Sequence, residues 1–245
     1  MEPPTRPRTL SAWLSALAAC ALLLASPAGR AGPPAAAAAR PVICLDPGHP
    51  SETSAGTATA SGVTENHLNW VVALKLRKLL EARGWKVVMT KSSEGEKVTN
   101  RRRAEIANAA GAALMLRLHC DSASARGLAV YFPDRQGKKY GVTGPSRAVI
   151  AASRALAKPF YRAAVAALKG YVPSRGVHGE SATLIGSKQG ALTGSIFARV
   201  PVLTVEMVVL NNPTDAAFIT AEAGQDRMAR ALAAGVEACR GIRPR

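Results

Sequence analysis

Little of this chain is aromatic and little of it is acidic. Phe, Trp and Tyr make up 4% of its 245 residues, and 16 Asp and Glu stand against 32 Lys and Arg. No CxxC or CxxxC pair occurs, which argues against a cysteine-built zinc knuckle and a thioredoxin-type redox site. No internal repeat is visible, so a solenoid is not indicated. Nor does a second domain stand apart as a separate binding module. The one long apolar run, Leu10 to Ala25, falls short of the roughly 20 residues that a bilayer span needs. What is present reads as globular: 48% hydrophobic and 20% charged residues can build a core, and an Ala-rich, aromatic-poor composition suits helices packed through small side chains. The length suits one α/β domain.

The surplus of base, +16 formally, predicts salt-sensitive attraction to polyanions. The start of the chain says which polyanions apply. Arg6 and Arg8 precede the apolar run, and a small-residue stretch from Ser26 to Ala31 follows it, the layout of a secretory signal peptide. We expect residues 1–31 to be a leader, 32–40 a Pro/Ala-rich linker and 41–242 the catalytic domain. Leu17-Ala-Ala-Cys20 resembles a lipobox, although apolar residues continue beyond it, so a lipid anchor at Cys20 stays open. An uncleaved membrane anchor is the alternative. Removing residues 1–31 takes away Arg6, Arg8, Arg30 and Glu2 and leaves the balance strongly positive. For an exported chain, in the periplasm or cell envelope, anionic envelope polymers and lipid head groups fit that charge better than nucleic acid, which is not expected as a partner; a generally basic proteome would also account for it. Beyond the leader, Cys44, Cys120 and Cys239 could form at most one disulfide; Cys44 and Cys239 read as small core residues.

Along the rest of the chain, apolar strands at 41–46, 86–90, 113–118, 128–132 and 202–210 alternate with helical periods at 66–83, 99–110, 146–168 and 225–240, the third of them open to a break at Pro159. This predicts an α/β fold: a single domain with an open, mostly parallel, twisted sheet and helices on both faces. Ligands of such sheets bind beyond the carboxyl ends of the strands. His49 and His119 both fall just past strand ends, Glu65 opens the first long helix, and Glu206 sits inside the apolar strand Leu203 to Val209. A carboxylate within a buried strand is costly unless paired or metal-bound. Two imidazoles and a carboxylate are a catalytic zinc set, and a second, non-ligating carboxylate is the general base such a site needs. Each residue also has a plainer reading: a strand-end His can be a hydrogen-bonded cap, Glu65 can favour a helix N-terminus, and Glu206 can be half of a buried ion pair. Residue types alone leave both readings open.

The motif series decides between them. Val42-Ile-Cys-Leu-Asp-Pro-Gly-His49, Gly62-Val-Thr-Glu-Asn66, Asn100 to Asn108, Leu116-Arg-Leu-His-Cys-Asp121 and Val205-Glu-Met-Val-Val-Leu-Asn-Asn212 resemble, in order, the motifs of zinc-dependent N-acetylmuramoyl-L-alanine amidases, the type 3 amidase family. The resemblance runs from about Pro41 to Arg240. It implies one zinc ion held by His49, Glu65 and His119, with Glu206 as the catalytic carboxylate. The implied substrate is peptidoglycan, cut at the amide between the lactyl group of N-acetylmuramic acid and L-alanine; Glu206 takes a proton from the attacking water and delivers it to the departing amine. Asp46 either orients His49 or serves the turn.

Three departures stand out. Pro50 replaces the family's usual glycine, Arg117 and Asp121 replace a serine and an asparagine, and Val208-Val209 replace Gly-Phe. They bear on substrate preference and rate rather than on the metal; Arg117 and Asp121, and separately Arg175, are candidate substrate contacts or supports of the metal ligands. His67 is expected to face solvent and His178 to lie in a loop that could line the cleft. Between Leu168 and Val202 no clear helical period is found, which predicts a form without the autoinhibitory helix that some relatives carry. Two other readings remain: a zinc carboxypeptidase or peptidase acting on another cell-wall amide, with Arg117 or Arg175 receiving a terminal carboxylate, and a catalytically weak zinc-containing peptidoglycan-binding protein. The need for an activator protein is not legible.

Overall fold

A computed structural model describes residues 40–241. The expected leader, Cys20 and all of the expected linker but Arg40 lie outside them. The strands are β1 (Val42–Pro47), β2 (Lys86–Met89), β3 (Leu114–Asp121), β4 (Leu128–Phe132), β5 (Gly137–Lys139), β6 (Val142–Gly144), β7 (Ser174–Gly179) and β8 (Val202–Val209). The helices are α1 (Glu65–Glu81), α2 (Asn100–Ala109), α3 (Arg147–Ala167), α4 (Leu184–Gln189), α5 (Thr193–Ile196), α6 (Pro213–Thr220) and α7 (Glu222–Ala238). Six strands form one sheet in the order β2-β1-β3-β8-β4-β7; β5 and β6 make a separate hairpin. Every pairing in the large sheet is parallel except β4 with β8, which gives the mixed, mostly parallel sheet.

Alternation along the strands sorts side chains onto two faces. Ile43 and Leu45, Leu114, Leu116 and Leu118, and Leu203, Val205 and Met207 point to one face, where they form the main core beneath α1, α3 and α7. The other face begins apolar: Cys44, Met115 and Val202 pack with Ala104 and Ala107 of α2. Further along the same strands it turns polar, with Asp46, Arg117, His119, Thr204 and Glu206. Thr64, Thr99 and Ser146 cap α1, α2 and α3 with their hydroxyls.

Three points that the sequence left open are filled in by the structure. Pro159 lies inside α3 without ending it, because the apolar face of that helix, including Leu156 and Phe160, is buried across it. The stretch between Leu168 and Val202 is not bare loop: it holds the edge strand β7 and the short helices α4 and α5. Elements of four to six residues complete too few turns to show a period, and the β7 sequence Ser-Arg-Gly-Val-His-Gly lacks an apolar run. Third, no disulfide joins the described cysteines: Cys44, Cys120 and Cys239 are all buried and free.

Candidate metal centre and cavity

His49 follows β1 in a left-handed backbone conformation (φ 62°), a costly geometry for a side chain other than glycine and common where a site demands it. Its Nδ1 donates to the Ser54 carbonyl (3.2 Å), which turns Nε2 inward. Glu65 occupies the first turn of α1, and His119 lies near the end of β3. Nε2 of His49 and Nδ1 of His119 meet the same oxygen, Glu65 Oε1, at 3.1 and 3.0 Å. The rings stand edge-to-face with centroids 4.9 Å apart, and one ligand atom from each of the three residues lies within 4.8 Å of the others. Gly48 makes this possible: a Cβ there would sit 2.3 Å from His119 Cε1.

The carboxylate is held from several sides. The backbone N–H of Thr57 donates to Glu65 Oε2 (3.0 Å), and that of Cys120 to Oε1 (3.1 Å). Buried Asn69, one helical turn on, donates to the Gly48 carbonyl at 3.3 Å and reaches Glu65 Oε1 at 3.4 Å. Burial pushes Glu65 up, but hydrogen bonds from His119 and His49 outweigh it and hold the carboxyl well below its usual range. Burial pushes His119 down, against the pull of Glu65, and so favours the neutral imidazole. An ionised carboxylate and neutral imidazole nitrogen converging on one point are the donor set of a zinc ion with an open position.

Glu206 pairs in register with His119 across the β3–β8 ladder, on the same face. Its Oε2 is buried and has no hydrogen-bond partner among the described residues. Burial, and then the negative charges of Glu65 and Asp121, push its carboxyl well above the ordinary value, while Arg175 and Arg117 pull the other way. His49, Arg117, His119, Thr204 and Glu206 line one cavity of about 320 Å³, walled on its far side by Ile185 of α4 and Thr193 of α5.

Asp46 does not reach His49. Fully buried, it accepts from Thr90 Oγ1 (2.6 Å), Arg103 Nη1 (2.6 Å) and Arg117 Nε (2.9 Å). Burial raises this carboxyl and the two guanidinium charges more than reverse that, so it stays ionised far into acid. The reason is directional: Asp46 faces α2 within the sheet, whereas His49 has already turned beyond the strand end. Asp121 and Arg175 pair with each other (2.7 Å) rather than lining this cavity, and act on Glu206 through charge. His67 is exposed as expected, beside Glu94. His178 is on strand β7 rather than in a loop, its ring tilted 37° to that of Tyr131, and does not line the cavity. The composition-based reading missed Asn69, Lys91 and Arg103. Lys91 donates to the His49 carbonyl (2.6 Å), and Arg103 to the carbonyls of Pro47 (2.8 Å) and Pro50 (3.0 Å), so both clamp the turn that carries the first histidine. Asn69 had a signal: it is a polar residue in the inward stripe of α1, four positions after Glu65.

Fold and site together define an α/β domain with a two-histidine, one-carboxylate metal-type centre at its strand ends and an acid beside it. Residues 43–238 match the sequence profile of the N-acetylmuramoyl-L-alanine amidase family, Amidase_3, and the chain belongs to that family. It is 27% identical over 221 residues to an N-acetylmuramoyl-L-alanine amidase of Mycobacterium tuberculosis, across 80% of this chain and 84% of that protein. A shorter match, 35% over 106 residues, joins 40% of this chain to 24% of an N-acetylmuramoyl-L-alanine amidase of Neisseria meningitidis. Among solved structures, the apo form of the amidase Ami1 of Mycobacterium abscessus superposes with a TM-score of 0.67 at 24% identity, over 81% of this chain and 97% of that one, a likeness of fold.

Proposed function

We propose that this chain is an exported, zinc-dependent hydrolase of peptidoglycan that cuts the amide between the lactyl group of N-acetylmuramic acid and the L-alanine of the stem peptide. The observation that carries the proposal is the convergence of His49, Glu65 and His119 within 4.8 Å, beside the unpartnered carboxylate oxygen of Glu206. Family membership supports the reaction, and the leader-like residues 1–31 support export to the periplasm or envelope. Among the described residues no helix is long and apolar enough to cross a membrane.

His49, Glu65 and His119 would hold the zinc. When bound, that ion supplies Lewis acidity towards the amide carbonyl and a water, and offsets the Glu65 charge that pushes Glu206 up. The protein's own work is positioning and proton transfer. Thr57, Cys120 and Asn69 keep Glu65 facing the two rings, and Ser54 fixes the outward nitrogen of His49. Glu206 is aimed from the neighbouring strand, and with one oxygen free of partners it can accept the proton of the attacking water and hand it to the alanine nitrogen as the C–N bond breaks. Its raised affinity for a proton suits the second half of that transfer.

Digestion of purified peptidoglycan, with products read by mass spectrometry, tests this. Stems beginning with free L-alanine, lost on chelation and restored by zinc, are expected. Intact stems trimmed at the far end would instead make the chain a carboxypeptidase.

A further inference from the structure

The cavity floor continues past the centre, away from the strand ends. Two residues back along β3 from His119 is Arg117, and two residues back along β8 from Glu206 is Thr204; these two are themselves partners in the ladder, on the same face. Two rows therefore cross the floor, separated by two strand residues, roughly 7 Å. The second row is built of buried groups whose hydrogen-bonding capacity is incompletely used. Arg117 is 4% exposed and Thr204 2%. Arg117 gives Nε to Asp46 and Nη2 to Asn100 Oδ1 (2.8 Å), while Nη1 has no hydrogen-bond partner among the described residues. Thr204 Oγ1 is likewise buried without a partner. Gly194 of α5 leaves room for the guanidinium: a Cβ there would lie 3.2 Å from Nη1.

The ion-pair trio under this row is positive, and the buried carboxyl of Glu180 is a further acid within reach of the Arg117 charge. Asp46 is one buried acid between two buried bases, Arg103 and Arg117, so the trio keeps one positive charge. Arg117 and Thr204, partners across the ladder, both line the cavity, and a guanidinium paired with a hydroxyl is a receptor for a carboxylate.

Resting on the amidase reading, we infer that Arg117 and Thr204 bind the free α-carboxylate of the second residue of the stem peptide and make the enzyme selective for stems in which that carboxylate is not amidated. The distances agree. From the scissile lactyl carbonyl carbon, through alanine, to the α-carboxyl carbon of a glutamate linked onward through its side chain is two backbone repeats, at most about 7 Å. That equals the separation of the rows. A carboxypeptidase, whose scissile carbonyl lies one residue from the terminal carboxylate, would need only about half that span.

Two substrates test the inference on the full chain: muramyl-L-alanyl-D-glutamate, and the same molecule with its α-carboxylate converted to the amide. The wild type is expected to cleave the acid with kcat/KM at least about tenfold above the amide, equivalent to about 1.4 kcal/mol. Arg117→Met and Thr204→Val should each shrink that ratio, mostly by loss on the acid. Calorimetry with the product dipeptides should show the same preference in wild-type binding, a readout that needs neither turnover nor a folded variant. Equal cleavage and equal binding of acid and amide by the wild type, or a ratio unchanged in both folded variants, overturns the inference while leaving the amidase reading intact. Cleavage of neither substrate by zinc-loaded protein overturns that reading and takes the inference with it.

Discussion

The two faces of the central sheet are made from the same three strands and do opposite things. Beneath α1, α3 and α7, the residues Ile43, Leu45, Leu114, Leu116, Leu118, Leu203 and Val205 are buried hydrocarbon with no chemistry to offer. One residue along each strand, on the face towards α2, stand Asp46, Arg117, His119, Thr204 and Glu206. The pleat lets one strand carry fold on alternate positions and function on the positions between them. Polar groups on the second face are tolerated because most are paired, and those that are not line the cavity.

If that division holds, substitutions on the two faces should damage different observables. The largest effect is expected at Glu206. Glu206→Gln should lower turnover by about 10²–10⁴-fold, as loss of a general acid–base does, with the melting temperature unchanged or raised because a buried unpaired carboxylate is gone. Asp46→Ala should break the simple division. Asp46 is on the site face, yet its loss strands Arg103 and Arg117 without their carboxylate and should cost about 3–5 kcal/mol in denaturant unfolding. Leu116→Ala, on the covered face one residue from Arg117, should cost about 2–5 kcal/mol and leave activity per folded molecule intact.

The smallest effect sharpens the contrast through pH. Glu180 is fully buried beside the cavity wall, accepts from Ser195 Oγ (2.6 Å) and the Leu192 N–H (2.8 Å), and is pushed up to about 7 chiefly by burial. A carboxyl whose folded value is raised binds its proton more tightly when folded. The stability it adds is complete below its ordinary value of 4.5 and is lost as pH rises through about 7. The loss is on the order of 3 kcal/mol. Unfolding midpoints measured from pH 5 to 8 should fall with pH in the wild type and fall less steeply in Glu180→Gln.

How legible this was follows the same division. The covered face was readable, because alternating and helical hydrophobic periods are strong over long elements such as α1 and β8, and the mixed, mostly parallel sheet followed from them. Unusual placement made His49, Glu65, His119 and Glu206 stand out, although His119, expected just past its strand, lies within β3 near its end, and the motif series supplied their joint meaning. What escaped was short or paired through space. The elements α4, α5 and β7 are too brief or too polar for a period, yet the two helices wall the cavity. Asp46 beside a Pro-Gly-His turn suggested a partner for His49, but sequence proximity cannot show that Arg103, in α2, and Arg117, on β3, claim it first. Arg117 was visible as a departure, though its free nitrogen and its alignment with Thr204 needed the ladder register.

The most direct test of the central claim, that three residues hold the metal while a fourth moves the proton, is metal content measured together with turnover in Glu206→Gln. Glu206→Gln is expected to hold one zinc per chain, as the wild type does, and to release L-alanine-headed stems at least about a hundredfold more slowly. A variant that loses its zinc, or one that keeps both its zinc and its turnover, would contradict that claim.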